Sequence, residues 1–299
     1  MLGPVNLRTD WLAVVVVPLL ATGVVGRRAG EEAAELHAAG VAAHLERRLA
    51  EAAALYDAAL DIERPADPSA QQAAIVRRFA PRISTTAAEP FGLKDAAAIV
   101  HPTSRLIAYH LFWDDDIDFP DDNDPCDHEV IWVKYSGDGA RLEGVWTYFH
   151  GRVLAAPATA VASSSNRPRV DVQWGKHGSL PEGWRGLSII PEVTEIPDGI
   201  PVSELPVPLE RYLEGSFQKL STSGRRLPDH PIALRLGWPR RFEGRREDFL
   251  TFPRAVDLLP LIGSRRSILV SRFNSGTLNR WLIPFNFRPK IEWPEMISR

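Results

Sequence analysis

Apolar residues recur at helical spacing in the first quarter of the chain. From Glu31 to about Arg78 the composition shifts to Ala, Glu, Leu and Arg, and no proline interrupts the pattern before Pro65. This periodicity predicts an α-helical hairpin, ended by the polar segment 64–71, and a short third helix over Gln72–Phe79. Small and aromatic residues fall where a tetratricopeptide repeat places its helix contacts, at Gly40, Ala52, Tyr56 and Ala59. A single copy cannot form a solenoid, so we expect the hairpin to cover the main domain or to dock a partner protein.

After Pro81 the pattern changes to short runs rich in Val, Ile, Tyr and Trp, separated by turn residues. Such runs predict β-strands, because β-branched and aromatic side chains fit a pleated surface. The predicted strands are Ala97–Val100, Arg105–Phe112, Glu129–Tyr135, Gly144–His150, Arg169–Trp174, Ala233–Leu236 and Ser267–Phe273. Their spacing favours a β-sandwich or barrel. We therefore expect an α+β protein with a mainly antiparallel β-sandwich over residues 81–299, a helical hairpin over 31–80 and an apolar segment over 1–30.

The N-terminal segment Trp11–Gly26 is largely apolar and flanked by charged residues. Its sixteen residues fall short of the roughly twenty that cross a bilayer. As a secretory signal it has the right hydrophobic length, but no clear small-residue cleavage site follows it. The segment is therefore either a membrane anchor or export signal, or a buried element. Membrane association and cellular location remain open as well.

Composition narrows the class of protein. With 44% hydrophobic and 24% charged residues in 299, the chain can bury a core, and its formal net charge of −3 gives no reason to expect nucleic-acid binding. Cys126 is the single cysteine, which excludes an intrachain disulfide and a cysteine-based zinc site. No glycine-rich nucleotide loop, Gly-x-Ser-x-Gly elbow or His-Glu-x-x-His motif is present.

Negative charge concentrates between residues 112 and 133, where nine carboxylates occur within sixteen residues. Hard divalent cations such as calcium and magnesium take oxygen ligands, mostly from carboxylates. Asp127 and Glu129 should lie on one face of the strand that follows, because side chains alternate along a strand. Asp116 and Asp124 reach the same point only if the loop folds back. The alternative is a solvated, turn-rich acidic loop without a metal.

Two histidines later in the chain each follow a strand-like run, His150 in WTYFHGR and His177 in VDVQWGKHG. Either could line the metal cleft, as a ligand through water or as a general acid/base, since imidazole titrates near neutrality. Either could equally be a histidine hydrogen-bonded at a strand end. Arg152 and Lys176 lie within two residues of these histidines and would hold an anionic headgroup or phosphate, or neutralise the aspartates.

Three ordered blocks stand in this part of the chain: Asp127-His128-Glu129 followed by VIWV, Phe149-His150-Gly151, and Arg167–Val172 leading to Gly175-Lys176-His177-Gly178. In order, spacing and residue type they resemble the NPP1-like necrosis-inducing proteins and the related Vps62-type domains. The likeness covers about residues 90–181. It implies metal carboxylates at Asp127 and Glu129 and an upstream carboxylate at Asp116. Asp124 stands where the family has its first motif histidine, which makes the expected site more acidic and more calcium- or magnesium-like.

Three functions are compatible with these patterns. The resemblance favours a divalent-metal-dependent binding protein that recognises a small polar ligand, such as a lipid headgroup, a sugar or a phosphate. The second is a metal-dependent hydrolase or lyase in which the ion polarises an oxygen while His150 or His177 moves a proton. The third is a scaffold without catalysis, whose helical hairpin binds a protein partner.

Overall fold

The structure, a computed structural model, describes residues 17–46, 48–62, 68–117, 127–191, 205–222, 239, 241–263, 267–270 and 297. The chain divides into two compact units, Met1–Arg64 and Pro65–Arg299. The fold is mixed α+β, with antiparallel and mixed sheets in the second unit.

The first unit contains helices α1 (Val17–Leu45) and α2 (Leu49–Ile62), which pack against each other. They approach closely at Gly40, where a Cβ atom would lie 2.6 Å from the ring of buried Tyr56. The two helices also bury small residues: Ala33, Ala43, Ala52 and Ala59. Residues 11–16 of the predicted apolar segment lie outside the described residues. Among the helices of the described chain, none has the length and hydrophobicity of a membrane span.

The second unit contains the other helices and all the described strands. Its helices are α3 (Ala70–Phe79), α4 (Ala158–Ser163), α5 (Leu209–Thr222) and α6 (Arg246–Phe249). Its strands are β1 (Arg82–Thr85), β2 (Leu93–Val100), β3 (Leu106–Trp113), β4 (Asp127–Tyr135), β5 (Leu142–Phe149), β6 (Arg152–Ala155), β7 (Arg169–Val172), β8 (Ser179–Pro181), β9 (Ser188–Ile189), β10 (Val207–Pro208), β11 (Arg254–Asp257) and β12 (Ile268–Val270).

The larger sheet has the strand order β12-β2-β3-β4-β5-β6. Strands β2 to β6 are antiparallel neighbours in sequence order, and β12 pairs in parallel with β2. All eight residues of β3 are buried, so this central strand is covered on both faces. Tyr109 and Ile131 on one face and Phe112 and Trp132 on the other belong to separate apolar clusters.

The second sheet has the order β11-β1-β7-β8, with β1 and β7 parallel and the outer pairs antiparallel. Ile83 and Val170 of this sheet share one buried cluster with Tyr109 of the larger sheet. Helix α3 contributes Phe79 to the same cluster, and the Tyr109 hydroxyl donates to the Val76 carbonyl at 2.7 Å. Helix α3 therefore belongs with the strands of the second unit.

Most predicted elements are confirmed, with shifts of a few residues. The third helix and the strands predicted near 97, 105, 129, 144, 169 and 267 are present as α3, β2, β3, β4, β5, β7 and β12. The predicted strand Ala233–Leu236 lies outside the described residues. His150 is a turn residue rather than the end of its strand, and Arg169–Trp174 is a strand only as far as Val172.

Candidate functional site

His177 lies in the turn between β7 and β8, fully buried and with a left-handed backbone φ of 53°. Its Nδ1 is 2.9 Å from Oδ2 of Asp127, and its Nε2 is 3.2 Å from Oε1 of Glu89. Ionised carboxylate oxygens only accept hydrogen bonds, so both ring nitrogens donate. His177 is therefore an imidazolium held between two carboxylates.

Aromatic rings and backbone N–H groups hold this ion cluster in place. The ring of Trp113 stacks on His177 with centroids 4.4 Å apart and planes 3° apart. Glu89 accepts from the backbone N–H groups of Gly175 at 3.0 Å and Phe91 at 3.3 Å. Burial alone would lower the pKa of His177, but its hydrogen bonds to Asp127 and Glu89 outweigh burial and raise the pKa to about 10. The positive charge of His177 is thus permanent near neutral pH.

Asp127 begins β4 opposite Trp113 of β3, which places its carboxylate beside the stacked His177 ring. Its Oδ1 also accepts from the backbone N–H of His128 at 2.7 Å. Both oxygens of Asp127 therefore already accept hydrogen bonds.

The other predicted metal ligands are distributed around this point. Glu129 is two residues further along β4 and buried, with 4% exposure. Asp116 follows β3 and is half-buried, and Asp124 lies outside the described residues. Carboxylates match the chemistry of a hard cation, yet within the described ranges no three His, Cys, Asp or Glu residues are grouped as metal ligands. The described residues thus supply suitable donor atoms without a complete ligand set.

His150 occupies the turn between β5 and β6, also with a left-handed φ, of 45°. Its Nε2 is 2.5 Å from Oε1 of Gln173, whose amide nitrogen donates to the Ser216 hydroxyl on α5 at 2.9 Å. Arg152 donates from Nη1 to the His150 carbonyl at 2.5 Å and from Nε to the Ile190 carbonyl at 2.8 Å. Arg152 therefore helps to fix the shape of the His150 turn.

The turns that carry the two histidines are in contact. A Cβ atom at Gly178 would lie 2.9 Å from Nε2 of His150 and 2.9 Å from the Phe149 ring, so glycine permits this approach. Lys176 lies in the same turn as His177 and is half-buried. The structure thus brings Asp127, His150 and His177 to one end of the sheets.

A second pair of buried histidines lies on the other face of β4. Nδ1 of His110 is 2.8 Å from Nε2 of His128, and the rings are stacked with centroids 5.1 Å apart. Burial lowers the pKa of His110 to about 3, so this ring is neutral at physiological pH. The position of His128 confirms that it faces away from Asp127.

Sequence reasoning missed Glu89 and Gln173, which bond to the two candidate histidines. Glu89 is an isolated carboxylate in a loop after β1, and Gln173 directly follows β7, so neither lies in a motif. Both residues reach the histidines only through the tertiary fold, which the neighbouring sequence does not indicate.

Comparison with known proteins does not extend this description: no protein-family model matches the chain, and neither a curated protein nor a solved structure gave a match.

Proposed function

We propose that the second unit is a divalent-cation-dependent binding protein, with its site where β4 begins and the β5–β6 and β7–β8 turns meet. One observation carries the proposal. Asp127 bonds to His177, and Gly178 packs against His150, so three distant segments converge on one end of the sheets. Such convergence of polar groups from several loops is typical of binding sites.

The proposed cation is calcium or magnesium, because the candidate ligands are oxygen donors. Asp127 and Glu129 would hold it together with Asp116 and Asp124. When bound, the ion would supply positive charge for the oxygens of a polar ligand, such as a lipid headgroup, a sugar or a phosphate. Arg152 and Lys176 lie beside the two histidines and would add positive charge for the same ligand.

Binding is favoured over catalysis by the state of His177. A general base works best with a pKa near the operating pH, whereas hydrogen bonds to Asp127 and Glu89 hold the pKa of His177 at about 10. His177 would act as a fixed positive charge. The alternative of a hydrolase or lyase therefore depends on His150.

We infer further that the two larger sheets form a β-sandwich and that α1 and α2 form a helical hairpin. The sandwich is supported by the apolar cluster to which both sheets contribute, and the hairpin by the contact of Gly40 with Tyr56. The resemblance to NPP1-like and Vps62-type proteins agrees with this architecture. Membrane association, and a partner protein bound by the hairpin, are further parts of the proposal.

The test is calorimetric titration of the full chain with calcium, magnesium and manganese after treatment with EDTA. Glu129→Gln should weaken cation binding tenfold or more, because it removes a buried charge that an ion would contact. Glu143→Gln is the matched control, since Glu143 is an exposed carboxylate on β5 near Arg105. Absence of binding by the wild type, or equal binding by the two variants, would contradict the proposal.

A further inference from the structure

A large cleft lies on the second sheet, away from the histidine cluster described above. Its volume is about 1030 Å³, at the upper limit of the size range of small-molecule sites. Its lining comes from strands β1, β7 and β11 and from residues 182–185 and 250–253. The cleft is therefore built from secondary structure and from loops fixed on it.

Arginines outnumber carboxylates by one in the lining of this cleft. Its lining contains four arginines against three carboxylates, which are Arg82, Arg167, Arg169 and Arg185, and Asp171, Glu182 and Asp257. The lining therefore has a net positive charge, although the chain as a whole is acidic.

Three of these arginines are paired with carboxylates. Arg167 binds Asp257 at 2.9 Å and Arg169 binds Asp171 at 2.8 Å. Arg185 pairs with Glu210, outside the lining.

Arg82 differs from the other three. Its side chain donates from Nη2 to the Ser165 hydroxyl at 3.0 Å, and no carboxylate of the described chain pairs with it. Arg82 is thus the cation of the cleft whose charge is not neutralised by an ion pair.

Arg82 lies on β1 between two paired neighbours, Arg169 of β7 and Asp257 of β11. Side chains at paired positions point to the same face of a sheet. Asp257 is bonded to Arg167, and Arg169 is bonded to Asp171, so neither carboxylate pairs with Arg82. An anion bound between Arg82 and Arg169 would supply that partner. Guanidinium groups are well suited to bind such an anion, because their planar N–H pairs match the oxygens of a carboxylate or phosphate.

Residues 184 and 250–253 contribute an apolar wall to the cleft. Trp184 donates from Nε1 to Asp171 at 3.0 Å, and its ring lies 6.1 Å from Phe252 in an edge-to-face contact. The Arg185 guanidinium covers the Trp184 ring at 4.4 Å. Leu250 and Pro253 extend this wall. A ligand held by Arg82 would meet an apolar surface.

We propose that this cleft binds an organic anion, in which a carboxylate or phosphate group is attached to an apolar or aromatic body. Arg82 and Arg169 hold the anionic group, and the wall of Phe252 and Leu250 receives the apolar body. This site is separate from the proposed cation site and needs no metal.

The experiment is calorimetric titration of the full chain in EDTA with four probes: phenyl phosphate, phenylacetate, inorganic phosphate and benzyl alcohol. Phenyl phosphate or phenylacetate should bind at least tenfold more tightly than inorganic phosphate and benzyl alcohol. Inorganic phosphate lacks the apolar body, and benzyl alcohol lacks the anionic group. The stronger of the two identifies the anionic group. EDTA removes divalent cations, so failure of the cation site does not affect the result.

Two variants and a control complete the test. Arg82→Gln should weaken binding of the better probe about tenfold, the loss expected for a charge-assisted hydrogen bond. Ala255→Trp keeps every arginine but fills the cleft, and should abolish binding. Arg141→Gln removes an exposed arginine outside the cleft and should leave binding unchanged. Equal binding of benzyl alcohol and phenyl phosphate, or wild-type affinity in both cleft variants, would overturn the proposal.

Discussion

Replacement of His177 by asparagine should remove a large, pH-dependent contribution to the stability of the second unit. Asparagine is chosen because it tolerates the left-handed backbone that this position requires, with a φ of 53°. The substitution deletes the buried imidazolium and leaves Asp127 and Glu89 without the cation between them. Removal of one member of a buried ion pair is strongly destabilising.

The magnitude follows from the pKa of His177. Its pKa is about 10 in the folded state and about 6.5 in an unfolded chain. The folded protein binds this proton more tightly, so the stabilisation is complete below about pH 6.5 and disappears as the pH rises through about 10. At about 1.4 kcal/mol per pKa unit, the proton contributes about 4 kcal/mol at pH 7 and less than about 1 kcal/mol at pH 10.

Urea unfolding of the full chain, followed at several pH values from 6 to 10 in EDTA, measures this contribution. The difference in unfolding free energy between the wild type and His177→Asn should shrink by about 3 kcal/mol between pH 7 and pH 10. The control is His101→Asn, because His101 accepts backbone N–H bonds from Thr103 and Ser104 and asparagine can do the same. A difference for His177→Asn that stays constant over this range would refute the ion-cluster assignment.

Three further predictions concern other contacts. Burial lowers the pKa of His110 to about 3, so the folded state resists protonation of this ring and the protein loses stability as the pH falls from about 6.5. His110→Asn, which can still bond to His128, should reduce this loss by about 3 kcal/mol at pH 4, as measured by urea unfolding. Gly178→Ala should cost about 1–3 kcal/mol through a forced contact with the neighbouring rings, whereas Gly137→Ala, with open space around it, should change the melting temperature little. Ser69→Ala removes the capping box of α3 and should cost about 1 kcal/mol of unfolding free energy; an unchanged urea midpoint would show that the cap is dispensable.

Local sequence patterns predicted the strands that are long and apolar enough to be recognised from their own residues. Strands β3 and β4 are long apolar runs, and their alternation placed Asp127 and His128 on opposite faces, as observed. Strands β1 and β11 were missed because each has only four residues and half or fewer are buried. Their pairing joins positions far apart in the chain, such as Ile83 and Val256. Helix α4 was missed because it has only six residues and none of them is buried.

The candidate site shows the same division between local and long-range information. Asp127 and His177 were identified as site residues from the segments around them, but the bond between them joins residues 50 positions apart. The contact of His177 with Glu89 spans 88 positions, and no motif marks Glu89. Charge pairing of this kind depends on the tertiary fold, which single-sequence patterns do not specify. Arg82 was missed for a related reason, because its neighbour Arg169 is brought beside it only by a parallel strand pairing.

The two proposed sites differ in the charge that they present to a ligand. Cation binding at one and anion binding at the other can therefore be tested independently. At the histidine cluster, Asp127 is already bonded to a protonated ring, so a divalent cation would have to bind beside an existing positive charge. Coulomb repulsion would then weaken cation binding, unless other carboxylates, such as Glu129, add enough negative charge. At the arginine cleft, Arg82 donates to a neutral hydroxyl rather than to a carboxylate, which favours an anion instead. Salt screens mainly exposed charges. Added salt should therefore weaken anion binding at the exposed arginines more than it weakens the buried bond between His177 and Glu89.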